Sequence, residues 1–132
     1  MSRILSDKCA ELLLQAEGKA LATMDENMQV HVVPVSTVQM ADGKIILVNY
    51  FFGQTLRNLK TNPRIALAFW KDLSGYQIKG IAEYFETGEQ YELTKAYVKS
   101  ILPDRIVKGI VIITPEQIFD VSAGPEAGRE VV

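Results

Sequence analysis

Apolar and polar positions recur along this chain with two different periods, and the places where the period changes mark its elements. Leu5, Cys9, Leu12, Leu13 and Ala16 fall at helical spacing, one stripe of an amphipathic helix over about residues 2–17, with Gly18 where a C′ glycine would end it. From Lys19 the period drops to two. Ala20, Leu21, Ala22 and Met24 lead into the turn cluster Asp25-Glu26-Asn27, and Met28 to Val38 reads as the return strand of a hairpin. Val30, Val32, Pro34, Ser36 and Val38 share one face of that strand; His31, Val33, Val35 and Thr37 share the other. Pro34 has no N–H to give to a ladder, so a bulge or an unpaired side is expected there, a place where a ligand can meet backbone.

Ala41-Asp42-Gly43 reads as a second turn, and Lys44 to Tyr50 as a strand apolar enough to be central. The segment Val48 to Lys71 then carries a strand end, a polar loop containing Gly53, a short helix opened by Thr55, and after Asn62-Pro63 a strand from Arg64 to Trp70. Asp72 to Gly75 is a turn and Tyr76 to Thr87 a strand, in which Gly80 marks a bulge or a close approach. Thr87 and Gln90 have capping-box spacing for a helix through Leu93, Ala96, Tyr97, Ser100 and Ile101 that stops before Pro103. Ile106 to Ile113 reads as a strand, Thr114-Pro115-Glu116 as a turn and Gln117 to Val121 as a last short strand. The tail, residues 122–132, is small and polar as far as Val131 and Val132, and is expected to be mobile or to reach a partner subunit. This density of strands and turns predicts a mainly β chain, a small antiparallel barrel over about residues 19–121 with peripheral helices.

Composition narrows the functions. At 132 residues the chain has the size of one ordinary domain. Its 14 basic and 16 acidic residues give no basic excess of the kind that neutralises nucleic-acid phosphates, and the cluster Arg57, Lys60 and Arg64 is too small to change that. No apolar run approaches membrane-spanning length, and Asp7, Lys8 and Glu11 interrupt the N-terminus where a signal peptide would be continuous. A single cysteine, Cys9, fits a reducing compartment, so a cytoplasmic protein is expected; on its apolar stripe Cys9 reads as core and not as a reactive thiol.

Side-chain catalytic hardware is sparse. The one histidine, His31, stands among apolar residues, no CxxC or HxxxH spacing offers a metal site, and the carboxylates sit mostly on helix faces and turns. A chain so equipped either binds passively or takes its chemistry from a cofactor. The segment Val48–Lys71 shows where an anionic group would go. With Thr55 as N-cap, the amides of Leu56, Arg57 and Asn58 would be unpaired where the helix dipole favours an anion; Arg57 and Lys60 add charge, and Gln54, Thr55 and Asn58 add hydrogen bonds.

The sequence as a whole resembles the FMN-binding split-barrel superfamily, the pyridoxamine 5′-phosphate oxidase-like proteins and the small FMN-binding proteins. The residues that carry the likeness are VHVVPVSTV, DGKIILVNY, QTLRNLKTNPRIALAFW and YQIKGIAEYF, in that order, and the most specific piece runs from Leu56 to Ile65. The resemblance covers roughly Ala20 to Val121. It implies a Greek-key split barrel of six to seven strands, paired as a homodimer with FMN at the subunit interface. By position, Val33, Pro34, Val35 and Ser36 with Val48, Asn49 and Tyr50 would pass along the isoalloxazine and ribityl chain, while Gln54, Thr55 and Asn58 would bind the phosphate. Relatives often carry Lys or Arg where Gln54 stands, which leaves Arg57 and Lys71 to supply the charge. Trp70 and Gln77 occupy positions near the flavin in relatives; Trp70 is equally compatible with barrel core.

The implied chemistry is hydride or electron transfer at the flavin, to a small molecule or redox partner that the sequence does not name. True pyridoxamine phosphate oxidases carry further Arg and His residues in a longer C-terminal part, so that activity is not expected of a chain ending SAGPEAGREVV. Two other readings stay open: an FMN-binding or electron-carrier protein without turnover, and an F420-binding relative. Haem is the least favoured ligand, with His31 the only imidazole.

Overall fold

The computed structural model describes residues 2–131; Met1 and Val132 lie outside them. Seven strands form one antiparallel sheet: β1 (Gly18–Met24), β2 (Val30–Pro34), β3 (Val38–Ala41), β4 (Lys44–Asn49), β5 (Arg64–Lys71), β6 (Ser74–Phe85) and β7 (Gly109–Asp120). Their order is β2-β1-β5-β6-β7-β4-β3. The two edge strands are consecutive in the chain. Only Val35, Ser36 and Thr37 join them, and four such steps span at most about 14 Å, so the sheet must curl until its edges face each other across a seam. The chain is a mainly β split barrel. The expected strand Met28–Val38 is thus two strands that part after Pro34, whose missing N–H costs no bond to β1 because the neighbouring Val35 N–H carries that pairing to Lys19 O at 3.0 Å.

Leu21, Ile45, Leu47, Leu67, Phe69, Ile78, Val111 and Ile113 fill the interior, each fully buried. Helix α1 (Asp7–Gln15) adds Cys9 and Leu13 to this core. It is shorter than the stripe suggested, because the Ser6 hydroxyl accepts the Cys9 amide at 3.2 Å and caps the helix there. Gly18 does not close it in a left-handed turn; it opens β1, where the Trp70 indole lies over its backbone in the space a side chain would fill. Helix α2 (Gln54–Thr61) buries Leu59 in the same core and packs against β1, β2 and β6. Helix α3 (Glu89–Ile101) covers the outer side of β4 and β7, packing Val98 with Ile46, Val48, Tyr50 and Ile110. The expected capping box is absent: Gly88 caps α3, and Gln90 donates instead to the Thr94 hydroxyl at 3.0 Å.

The expected turn at Thr114-Pro115-Glu116 is a bulge within one continuous strand. Gly80 pairs with Pro115 and Lys79 with Gln117, so Glu116 is the extra residue, and Pro115 sits where no ladder bond is asked of it. The tail is neither free nor extended. It turns back along the part of β7 that β4 does not reach, with Asp120 N–H to Arg129 O at 2.8 Å and Val131 N–H to Ile118 O at 2.7 Å. The outward face of β2-β1-β5-β6 carries no helix. Its rows, Val32-Ala22-Ala66-Lys79 and Pro34-Ala20-Ala68-Gln77, are small and apolar except at β6, and Val30 and Val32 are 73% and 64% exposed. Among the described residues no helix is long and apolar enough to cross a membrane.

Burial pushes the Cys9 thiol up to about 12, since the thiolate has no solvation in the core. Native protein at pH 8 is therefore expected to resist a thiol reagent such as iodoacetamide and to react once unfolded in urea; rapid labelling of the folded state would contradict this packing. Because an unfolded thiol ionises near pH 8.5, the same burial costs stability progressively as pH rises from there toward 12.

Candidate functional site

Asn49, at the end of β4, shapes the site although it does not line it. Its buried carboxamide accepts the Phe52 amide at 2.7 Å and donates to the Tyr84 hydroxyl at 2.8 Å. These bonds fold residues 50–53 into a tight turn and set Gly53 at the head of α2. The Asn49 side chain is thus committed inward.

Beside this turn lies an open cleft of about 300 Å³, walled by Val33 to Ser36 at the barrel seam, by Val48, by Tyr50 to Gly53, and by Arg105. The cleft is largely apolar and aromatic, and its one charged wall residue is a cation. Tyr50 is held by a 2.7 Å hydrogen bond between its hydroxyl and that of Thr37. Six of the residues expected along a flavin, Val33, Pro34, Val35, Ser36, Val48 and Tyr50, come together here.

Helix α2 differs from expectation in its frame. Gly53, not Thr55, is the N-cap, and no side chain caps the helix. The Leu56 and Arg57 amides turn back to Gly53 O at 3.1 and 3.4 Å, which leaves those of Gln54 and Thr55 without a partner among the described residues. Thr55 is 1% exposed, and its Oγ1 is buried with no hydrogen bond. A buried hydroxyl without a partner costs about 1–3 kcal/mol, so it calls for an explanation. Three other polar side chains of α2 are paired in a chain. Arg57 donates twice to Gln54 Oε1 at 2.9 and 3.1 Å, Gln54 donates to Asn58 Oδ1 at 2.7 Å, and Asn58 donates to the buried Thr23 hydroxyl at 3.0 Å. Gln54 therefore holds the Arg57 guanidinium at the first turn, supplying by orientation the charge that it lacks itself.

Asn49 and the α2 residues Gln54, Thr55, Arg57 and Asn58 do not line the cleft, which meets α2 at its cap Gly53, and three further expected residues lie away from both within one chain. Trp70, 44% exposed, is not core; it borders a separate depression with Gly18, Lys19 and Val32 to Val35. Desolvation lowers the Lys19 pKa there. Lys71 pairs with Ser74 at the β5–β6 hairpin, and half-buried Gln77 stands on the outward face of β6 between Ala68 and Phe119. Sequence reasoning missed Phe51, Phe52 and Arg105. The run NYFFG was a signal, three aromatics before a glycine; Arg105 was obscured because the next residue was read as the start of a strand that begins only at Gly109.

Comparison with known proteins places the chain. The pyridoxamine 5′-phosphate oxidase family matches residues 5–122. An uncharacterised protein of Methanocaldococcus jannaschii is 32% identical over 121 residues, 88% of this chain and 80% of that one. The crystal structure of HupZ from Group A Streptococcus superposes with a TM-score of 0.82 at 27% identity, over 95% of this chain and all 100% of that one. An FMN-binding protein of Syntrophomonas wolfei superposes at 0.78 and 19% identity, over 89% of this chain and 86% of that one. The same fold recurs in the haem storage protein HutZ of Vibrio cholerae (0.70, 16% identity, 89% and 94% covered) and in an F420 reductase (0.65, 15% identity, 86% and 98% covered). With the family match spanning most of its length, the chain belongs to the pyridoxamine 5′-phosphate oxidase family.

Proposed function

We propose that this protein binds FMN in the seam cleft and acts as an oxidoreductase on a small molecule by hydride or electron transfer. The observation that carries this reading is the Thr55 hydroxyl, buried and unpartnered at the uncapped start of α2, next to a cleft walled by apolar and aromatic residues. These residues fit a flavin phosphate. The free amides of Gln54 and Thr55 and the Thr55 hydroxyl can donate to phosphate oxygens, and Arg57, held by Gln54, adds charge. Val33 to Ser36 and Val48 offer backbone edges and apolar surface to a planar ring, excluding water from one side. Bound there, the flavin supplies the redox chemistry, and the chain supplies position and polarity. Lys71 is too far along β5 to join the phosphate group in the same chain, so Arg57 is the α2 cation of this reading. Activity as a pyridoxamine phosphate oxidase is not part of it. A cytoplasmic location is, since the single buried Cys9 needs no oxidising compartment.

The uncovered face of β2-β1-β5-β6 supports a homodimer, because a sheet face with Val30, Val32 and Trp70 exposed is costly to leave in water. Association through it would cover Trp70 and Gln77, which stand on that face. Val32→Asp is expected to convert a dimer at micromolar concentration into a monomer in sedimentation; a wild-type monomer would contradict the association.

The test of the cofactor is the visible spectrum of the purified protein titrated separately with FMN, F420 and haem. Saturable, shifted flavin bands with FMN are expected. Binding of F420 or haem but not FMN would overturn the assignment, and FMN binding without turnover of any organic substrate would make the protein a carrier.

A further inference from the structure

Tyr84, on β6, does not line the seam cleft, yet its hydroxyl reaches across β7 to the Asn49 carboxamide, which donates to it at 2.8 Å. The orientation of that carboxamide follows from the chemistry of its two ends. The Phe52 amide can only donate, so the Asn49 carbonyl oxygen must face it, at 2.7 Å, and the NH2 group must face Tyr84, whose oxygen accepts. The Tyr84 proton is left to donate to Lys108 O at 3.5 Å, a long bond, and burial raises the Tyr84 pKa, so that proton stays in place at neutral pH.

The route across β7 is open only because residue 109 is glycine. Asn49 pairs with Gly109 and Tyr84 with Val111, and the Tyr84 ring leans over Gly109, where a Cβ would run into its hydroxyl, Cζ and Cε1 atoms. The Asn49 backbone is held by the lead into the same strand, through Lys108 N–H to Asn49 O at 3.0 Å. Asn49 is 1% exposed, so its NH2 group has no water to turn to if the Tyr84 hydroxyl is lost.

We propose that Tyr84, seated on Gly109, is a positioning residue for the cofactor: by fixing the Asn49 carboxamide it fixes the Phe52 turn, and with it the Gly53 cap that leaves the Gln54 and Thr55 amides free. This rests on the reading of those amides as donors to the flavin phosphate, and gives them a support that begins 35 residues from Asn49 in sequence. Without the hydroxyl the carboxamide is free to rotate, and the donor geometry loosens while the apolar cleft stays as it was.

The experiment measures FMN and riboflavin affinity by flavin-fluorescence titration in wild type, Tyr84→Phe and Gly109→Ala, and records the Gln54 and Thr55 backbone amide signals of each ligand-free protein by NMR. Tyr84→Phe, which keeps the ring, is expected to weaken FMN about fivefold or more, to change riboflavin less than about twofold, and to shift both amide signals. Gly109→Ala, which displaces the hydroxyl by crowding, should do the same. The double variant should lose no more than about twofold beyond the larger single loss, since both changes break one contact. A merely structural tyrosine would lower stability in urea and leave the ratio of the two affinities and both amide signals at wild-type values; that result would overturn the inference. So would an equal loss of FMN and riboflavin affinity. If the wild type does not prefer FMN over riboflavin, the phosphate reading fails and the amide signals alone decide: shifted in Tyr84→Phe, the positioning role stands; unshifted, it falls.

Discussion

Gly80→Ala is expected to lower the unfolding free energy by about 3 kcal/mol, read as a shift of the urea midpoint in circular dichroism. A methyl at residue 80 would press into the Thr114 carbonyl oxygen and lie 3.1 Å from the Thr114 carbonyl carbon and 3.3 Å from Pro115 Cα. All three atoms are backbone, and they belong to the bulge where the two longest strands change register. Neither side can yield. Pro115 has its φ fixed, and moving Thr114 would disturb the pairs Ile81–Thr114 and Ala82–Ile113 beside the core. Gly18→Ala is the contrast. Its new methyl would meet only the Trp70 indole, a surface side chain that can swing away, so its cost should be well below that of Gly80→Ala. A loss under about 1 kcal/mol for Gly80→Ala would mean that β6 and β7 separate there freely, against the observed pairing.

Thr55→Val should move stability and ligand affinity in opposite directions. Valine keeps the branched shape and removes the hydroxyl, whose oxygen is buried with no partner. The ligand-free protein loses no hydrogen bond and is relieved of an unsatisfied polar atom, so stability is expected to rise by about 1 kcal/mol. FMN affinity is expected to fall about tenfold or more, the equivalent of about 1.4 kcal/mol, because a donor to the phosphate is gone. A purely structural hydroxyl would give the reverse pattern: lower stability and unchanged affinity. Paired denaturation and flavin-fluorescence titrations on one preparation separate the two.

The stripe from Leu5 to Ala16, the period-two runs and the turns at Asp42-Gly43 and Asp72 were legible because each depends on neighbours in sequence. Asp42 and Gly43 take the positive φ that such a hairpin turn requires. Misreadings arose where a residue's local preference is overruled by a distant partner. Thr55 is a good capping residue, yet Asn49 pulls Phe52 into the turn and gives the cap to Gly53. Pro115 is a good turn residue, yet the Gly80 bulge lets β7 run through it. Gly18 looked like a helix terminator and is the seat of an indole. Of the cleft's walls, the seam residues Val33 to Ser36 could be named from the chain alone. Arg105 could not, because its meeting with Tyr50 and Phe51 depends on how α3 returns across β4.

The central claim, that α2 is a phosphate clamp facing a flavin cleft, is tested most directly by comparing FMN with riboflavin, which has the same ring and no phosphate. Wild-type protein is expected to bind FMN at least about a hundredfold more tightly than riboflavin, and this gap should shrink to a few-fold in the Thr55→Val, Arg57→Ala double variant. Equal affinity of the wild type for the two, or failure to bind either, would contradict the account.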